Sequence, residues 1–232
     1  MSALWEYRSL LLDGLWLTVQ VFVVGLALAV VVAFVLGIAG LSEYRWVRWP
    51  VVAWVEFWRG TSVLVQMFIL FYVLPPFGLE FTPFTCAVLA LGFNEGAYAS
   101  EIVRGTIAAR AKGQDEAGIA LGMSKSLRMR RILIPQSIPA MLPPFGNVAV
   151  DTLKATSLVS LVTVGELTYQ TQQVWKSEGH TVAIFTALLV FYFVLAMIVA
   201  GLMWLIERRF AVDSGSRLFN SRFLRTSAGP GV

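Results

Sequence analysis

The stretch Gly113-Gln-Asp-Glu-Ala-Gly-Ile-Ala-Leu-Gly-Met-Ser-Lys-Ser-Leu-Arg-Met-Arg-Arg-Ile-Leu-Ile-Pro135 is a polar island between long apolar runs. Its pattern predicts two short helices joined at Gly122. Asp115 and Glu116 fall in the first turn of the first helix, where the dipole is positive. Ser124 is placed to cap the second helix, and Arg128, Arg130 and Arg131 approach its negative end. Ala117, Gly118 and Ala120 give the first helix a small-residue surface suited to a groove on a partner.

On either side of this island the chain is apolar. Charged residues make up 14% of the 232 positions and hydrophobic ones 57%, against about 25% charged in soluble domains. A bilayer core of about 30 Å needs roughly 20 apolar residues at about 1.5 Å of helical rise each. Segments 15–38, 51–74, 84–104, 144–164 and 182–206 are the candidates, the last being the cleanest; the wholly apolar part of the second, 63–74, is too short to span alone, and the third is apolar only to Phe93. Gly25 and Gly37 in the first suit close helix approach. The expectation is an all-α integral membrane protein with about five transmembrane helices. Residues 1–210 would form the transmembrane domain, carrying a cytoplasmic loop at 111–135, and residues 211–232 a disordered cytoplasmic tail. The first apolar run is too long for a signal core and is expected to stay in the mature protein.

Fifteen of the eighteen Lys and Arg residues fall on one side of a five-helix arrangement. Arg45, Arg48 and Arg59 follow the first segment, seven more lie between 104 and 131, and five follow residue 207. Basic residues collect on the cytoplasmic side, so the N-terminus is expected outside and the C-terminus inside. These charges flank apolar segments and form no stripe interleaved with stacking aromatics, which argues against nucleic acid. Cys86, the one cysteine, sits in an apolar run and reads as a core residue. His180 stands alone in an outer loop, so neither a metal centre nor a catalytic Ser–His pair is expected. No Gly-x4-Gly-Lys-Ser/Thr phosphate loop is present, so nucleotide chemistry, if any, belongs to a partner.

The island resembles the EAA loop of ABC-importer permeases: Glu-Ala-Ala, three residues, Gly, nine residues, Ile-x-Leu-Pro. Glu116 and Ala117 match, Gly118 replaces the second Ala, Gly122 falls in place, and Ile132-Leu133-Ile134-Pro135 closes the pattern with Ile for Leu. Three flanking motifs are similar to the polar amino acid branch, the histidine, glutamine and arginine type. They are Arg59-Gly60-Thr61-Ser62-Val63-Leu64-Val65-Gln66, Ala97-Tyr98-Ala99-Ser100-Glu101-Ile102-Val103-Arg104-Gly105, and Lys154-Ala155-Thr156-Ser157-Leu158. Ser62 stands for the usual Pro, and Ala155 for the usual Asp.

The resemblance implies a type I ABC-importer permease fold in a bacterial inner membrane, surrounded by lipid. It also implies a non-catalytic subunit without cofactor, whose partner chains bind ATP. Those partners would be an ATPase dimer docked through the loop around Glu116, Ala117, Gly118, Gly122, Ile132 and Pro135, a second permease of the same or a related kind, and an extracytoplasmic solute-binding protein. The substrate would be a polar amino acid or a similar zwitterion, such as a compatible solute. The competing reading is a channel or secondary transporter subunit needing no ATPase, which the absence of an inverted repeat disfavours.

Ionisable groups within a span cost on the order of 2.5–3.5 kcal/mol each, so they usually face a bundle interior or a water-filled path. Asn94, Tyr98 and Glu101 share one helical face, with Glu95 about 100° around from Asn94. Asn147, Asp151 and Lys154 share another. A zwitterion needs an acceptor for its ammonium, which Glu95 or Asp151 offers, and a donor for its carboxylate, which Lys154, Asn147 or Asn94 offers. The plainer alternatives are i, i+3 pairs: Asp151 with Lys154, Glu101 with Arg104, and Glu56 with Arg59.

Overall fold

The computed structural model describes residues 7–110 and 112–210, and every described element is helical. The expectation of a disordered tail falls on 211–232, outside the described residues. The first helix, α1 (Arg8–Ala39), buries Gly14, Thr18, Gly25, Ala29, Ala33 and Gly37 along one line. These small residues let α1 press against α4 (Pro83–Ala108), which offers Gly92, Gly96 and Ala99 in return. A Cβ on Gly37 would lie 2.7 Å from Val103 Cβ, and one on Gly96 would lie 2.7 Å from Val32 Cβ. Lipid gives apolar surfaces no reason to associate, so contact this close is what holds two membrane helices together.

The second expected segment is broken. It forms α2 (Arg45–Gly60) and α3 (Val63–Phe68), with a π turn at Ile69–Val73 and a 3-10 turn at Pro75–Phe77. Thr61 and Ser62 are extended (φ −118°, ψ 154° and φ −70°, ψ 131°) and interrupt the helix midway.

The polar island forms α5 (Lys112–Ala120) and α6 (Lys125–Arg128). Here the expectation of two short helices needs correcting. Ser124 does cap α6, accepting from Leu127 N, but the helix then runs on. It passes through a π turn (Met129–Leu133) into α7 (Ile134–Ala155) with no non-helical residue between. Arg130 and Arg131 therefore lie inside a long rod and not at a helix end. The start expected at 144 is also moved back, because Pro139, Pro143 and Pro144 are accommodated within α7. Prolines are tolerated in membrane helices whose neighbours help satisfy the freed groups.

Beyond α7 comes a seven-residue 3-10 helix (Thr156–Val162), then α8 (Leu167–Glu178) and α9 (Thr181–Phe210). α1 and α9 are each long and apolar enough to cross a membrane alone. α9 packs mainly on α7 and α8 and leaves most of its apolar surface outward, as a lipid-facing helix does. At the end nearest α5, the core is Ala33, Ala99, Val103, Met141 and Phe145. Toward the other end it is Val21, Met67, Leu91, Val159 and Val162.

Candidate functional site

Three places in the bundle carry polar chemistry. The first is α5. Its C-terminus closes with Gly122 N bonded to Ile119 O at 2.9 Å and Met123 N to Gly118 O at 3.0 Å, with Gly122 at φ +70°. This is a Schellman closure, and the left-handed position is one a glycine adopts without strain. Glu116 and Ala117 face outward, together with Ile119 (56% exposed) and Leu121 (79% exposed). Gly118 faces inward, against Arg128 and Ile132. Ile132 is half-buried and Pro135 is exposed in the first turn of α7. Ile119 and Leu121 escaped the sequence reading; the available signal was two apolar side chains within an otherwise polar loop. Nearby, Lys125 Nζ donates to Glu43 Oε1 at 2.7 Å, and that bond holds the Glu43 carboxyl below its ordinary range.

The second place is the break between α2 and α3. An interrupted helix frees backbone groups, and each needs a partner. Trp58 O accepts from Asn94 Nδ2 at 2.7 Å and from Gln66 Nε2 at 2.9 Å. Gln66 also donates to Thr61 Oγ1 at 2.6 Å, and Asn94 donates to Gln66 Oε1 at 3.1 Å. Tyr98 OH donates to Arg59 O at 3.1 Å. Asn94 is 6% exposed, so the expectation that it lines an open path is corrected: it props the break. The Arg59 guanidinium lies 5.2 Å from the Tyr98 ring centroid and 3.5 Å from Glu56. Arg59 Nε is buried with no hydrogen-bond acceptor among the described residues. Gly60 ends α2 in open space.

The third place is the exposed face of α7. Asn147, Asp151 and Lys154 all lie on it. Lys154 Nζ is 3.4 Å from Asp151 Oδ1, and their side chains are 63% and 62% exposed. Half-buried Glu95 lies on α4, which packs against α7. Glu101 is bound by Arg104, whose Nε reaches both carboxylate oxygens at 3.1 and 3.0 Å. Thr156 and Ser157 turn their hydroxyls back onto the Leu153 and Lys154 carbonyls, at 2.7 and 2.8 Å, where α7 passes into the 3-10 helix.

One polar residue that the sequence reading did not single out is tied in more firmly than any of these. Glu166, 0% exposed, accepts from Thr168 N at 2.8 Å, Tyr169 N at 2.9 Å and Tyr192 OH at 2.9 Å, and lies 3.3 Å from Thr18 Oγ1, whose proton has a nearer acceptor in Gly14 O at 3.0 Å. It thereby joins α1, α8 and α9.

A helical bundle with two long apolar helices, apolar outward faces and a polar arm at one end is an integral membrane protein. The chain belongs to the family of binding-protein-dependent transport system inner membrane components, which matches residues 25–212. It is 39% identical, over 87% of both chains, to a probable amino-acid ABC transporter permease protein, y4tF, of Sinorhizobium fredii. It is 33% identical to the glutamine transport system permease protein GlnP of Escherichia coli, over 91% of this chain and 97% of that one. Among solved structures, an amino acid ABC transporter crystallised with histidines superposes with a TM-score of 0.81 at 30% identity, over 88% of this chain and 95% of that one. The MetNI methionine ABC transporter shares the fold, with a TM-score of 0.76 at 16% identity. The chain is thus a multi-pass protein of the bacterial inner membrane with the type I permease fold.

Proposed function

We propose that this chain is the permease of an ATP-driven importer for a polar amino acid or a similar zwitterion, with ATP bound and hydrolysed by a partner pair. The observation that carries the reading is α5, an arm whose outward face presents Glu116, Ala117, Ile119 and Leu121 away from the bundle. Apolar side chains on a membrane helix face lipid, whereas on a polar arm they suit a protein groove. The arm would lie in the cytoplasm, with the N-terminus outside, on the distribution of Lys and Arg. A second permease would cover the face of α7 that carries Asn147, Asp151 and Lys154, and a solute-binding protein would deliver substrate at the opposite end.

The solute path would run between that face and the α2–α3 break. Broken helices at mid-depth are where transporters bind solutes. Glu95 and Asp151 offer a site for an ammonium group. Lys154 and the unsatisfied Arg59 Nε offer donors for a carboxylate. Tyr98 lies beside Arg59.

The test is co-purification of an ABC ATPase from the same organism, co-expressed with this chain. Wild-type chain is expected to retain it, and Ile119→Asp with Leu121→Asp to lose at least nine-tenths of it. Full retention by the double variant would refute docking through α5.

A further inference from the structure

The side-chain contacts of α5 run to a single rod. Gln136 Nε2 donates to Gln114 Oε1 at 3.2 Å, and Arg128 Nε donates to Asp115 Oδ1 at 2.7 Å. The rod is α6, the π turn and α7 in unbroken helical succession. Its residues, 125–155, span about 46 Å at about 1.5 Å each. Asp151 and Lys154 stand at its far end. A displacement delivered to α5 therefore has a stiff path to the charged face, provided that α5 cannot pivot on its own.

The joint between α5 and the rod is a place where it could pivot. Gly122 has φ +70°, and a Cβ placed there would meet nothing within 4 Å. Backbone bonds close the end of α5 but do not brace its length. Arg128 provides the brace. Its Nε reaches Asp115 in α5, its Nη1 donates to Met123 O in the joint at 2.8 Å, and its own backbone belongs to α6. Its stem lies where a side chain at 118 would be, since a Cβ there would stand 2.6 Å from Arg128 Cδ. That accounts for Gly118 where the resembling loops carry Ala. The Arg128 side chain is 13% exposed, so its ion pair is less screened than the open Lys125–Glu43 pair, whose side chains are 53% and 80% exposed.

We propose that Arg128 is a positioning residue for coupling: it locks α5 to the α6–α7 rod, so that movement of the docked ATPase shifts the face carrying Asp151 and Lys154. The proposal rests on the reading of α5 as the ATPase-docking arm. It predicts that losing Arg128 leaves docking intact and breaks transmission. A residue that merely kept α5 folded would lose docking and import together.

The full transporter, with its ATPase and binding protein, would be reconstituted in proteoliposomes. Import of a radiolabelled amino-acid mixture and ATP hydrolysis would be measured together, with ATPase retention scored on the purified complex. Arg128→Met, which keeps the stem and drops the charge, is expected to retain the ATPase within twofold and to import at least fivefold less solute per ATP. Gly118→Ala, which keeps the charge and fills the space beneath the stem, lowers the same ratio at least twofold. A ratio within twofold of wild type in Arg128→Met overturns the proposal, and so does a fall in ATPase retention that accounts for the whole loss of import. A wild-type chain that retains no ATPase overturns the docking reading itself and this proposal with it.

Discussion

Two acidic residues in this bundle lie on opposite sides of one physical choice. Glu166 is fully enclosed, takes three hydrogen bonds from α8 and α9 and touches Thr18 of α1. Asp151 is mostly exposed and has a single cationic neighbour at 3.4 Å. A carboxylate among apolar helices must either bring its partners inside or sit on a face that water, solute or another subunit will cover. Glu166 belongs to the architecture, and Asp151 is available for work.

The contrast is broken most decisively at Glu166. Glu166→Ala removes the acceptor shared by three donors, Thr168 N, Tyr169 N and Tyr192 OH, and each buried donor left unpaired costs about 1–3 kcal/mol. A net loss of about 3 kcal/mol or more is expected, which lowers the unfolding midpoint by about 6–12 °C for a chain of this size. Glu166→Gln keeps one carbonyl oxygen and should lose about half as much. A thermal melt of the detergent-purified protein decides it. If the midpoint of Glu166→Ala matches wild type, the three bonds hold nothing together.

Asp151 and Glu95 should behave in the reverse way. Alanine at either position leaves the melt within about 4 °C of wild type, since the exposed Asp151–Lys154 pair contributes at most about 1 kcal/mol and Glu95 has no salt bridge to lose among the described residues. Uptake in vesicles should fall at least about tenfold, equivalent to about 1.4 kcal/mol in a step where the substrate ammonium is held. Unchanged uptake with unchanged substrate preference would remove both residues from the path and leave the Asp151–Lys154 pair as mutual neutralisation.

The same contrast explains what was legible in the sequence. Helical periodicity placed Asn147, Asp151 and Lys154 on one face, and they lie on one exposed face of α7. Periodicity could not say which polar residue on a face turns inward. Asn94 was grouped with Tyr98, yet it is consumed by the Trp58 carbonyl that the break in α2 sets free. The break was not foreseen either, because Gly60, Thr61 and Ser62 sit within an otherwise apolar run and the partners that satisfy their neighbourhood, Gln66 and Asn94, lie 28 residues apart. Glu166 was missed for a related reason. Two of its three bonds form only once the cap of α8 exists, the third comes from Tyr192, distant in the chain, and nothing local marks it as buried. The rod from 125 to 155 was divided because prolines signal helix ends in water, whereas here they lie among packed helices.

The smallest expected effect lies at the other extreme of exposure, in the bridge between Lys125 and Glu43. Glu43 is open to solvent, and the hydrogen bond from Lys125 followed by its charge holds the carboxyl below the ordinary 4.5. A lowered folded-state value means that the bridge contributes fully above the unfolded-state value and is lost as pH falls through the lower folded one. Across pH 6 to 8 the carboxylate is ionised in both states, so the difference between Glu43→Gln and wild type should be constant in that window and close to nil at high salt, where such pairs are screened. Melts at pH 5 to 8 in low and high salt would check it. A difference that grew between pH 6 and 8 would mean that another titrating group, and not Lys125, governs this corner of the molecule. Such a result would draw Glu43 toward the buried behaviour of Glu166 and narrow the contrast between the two kinds of acidic residue.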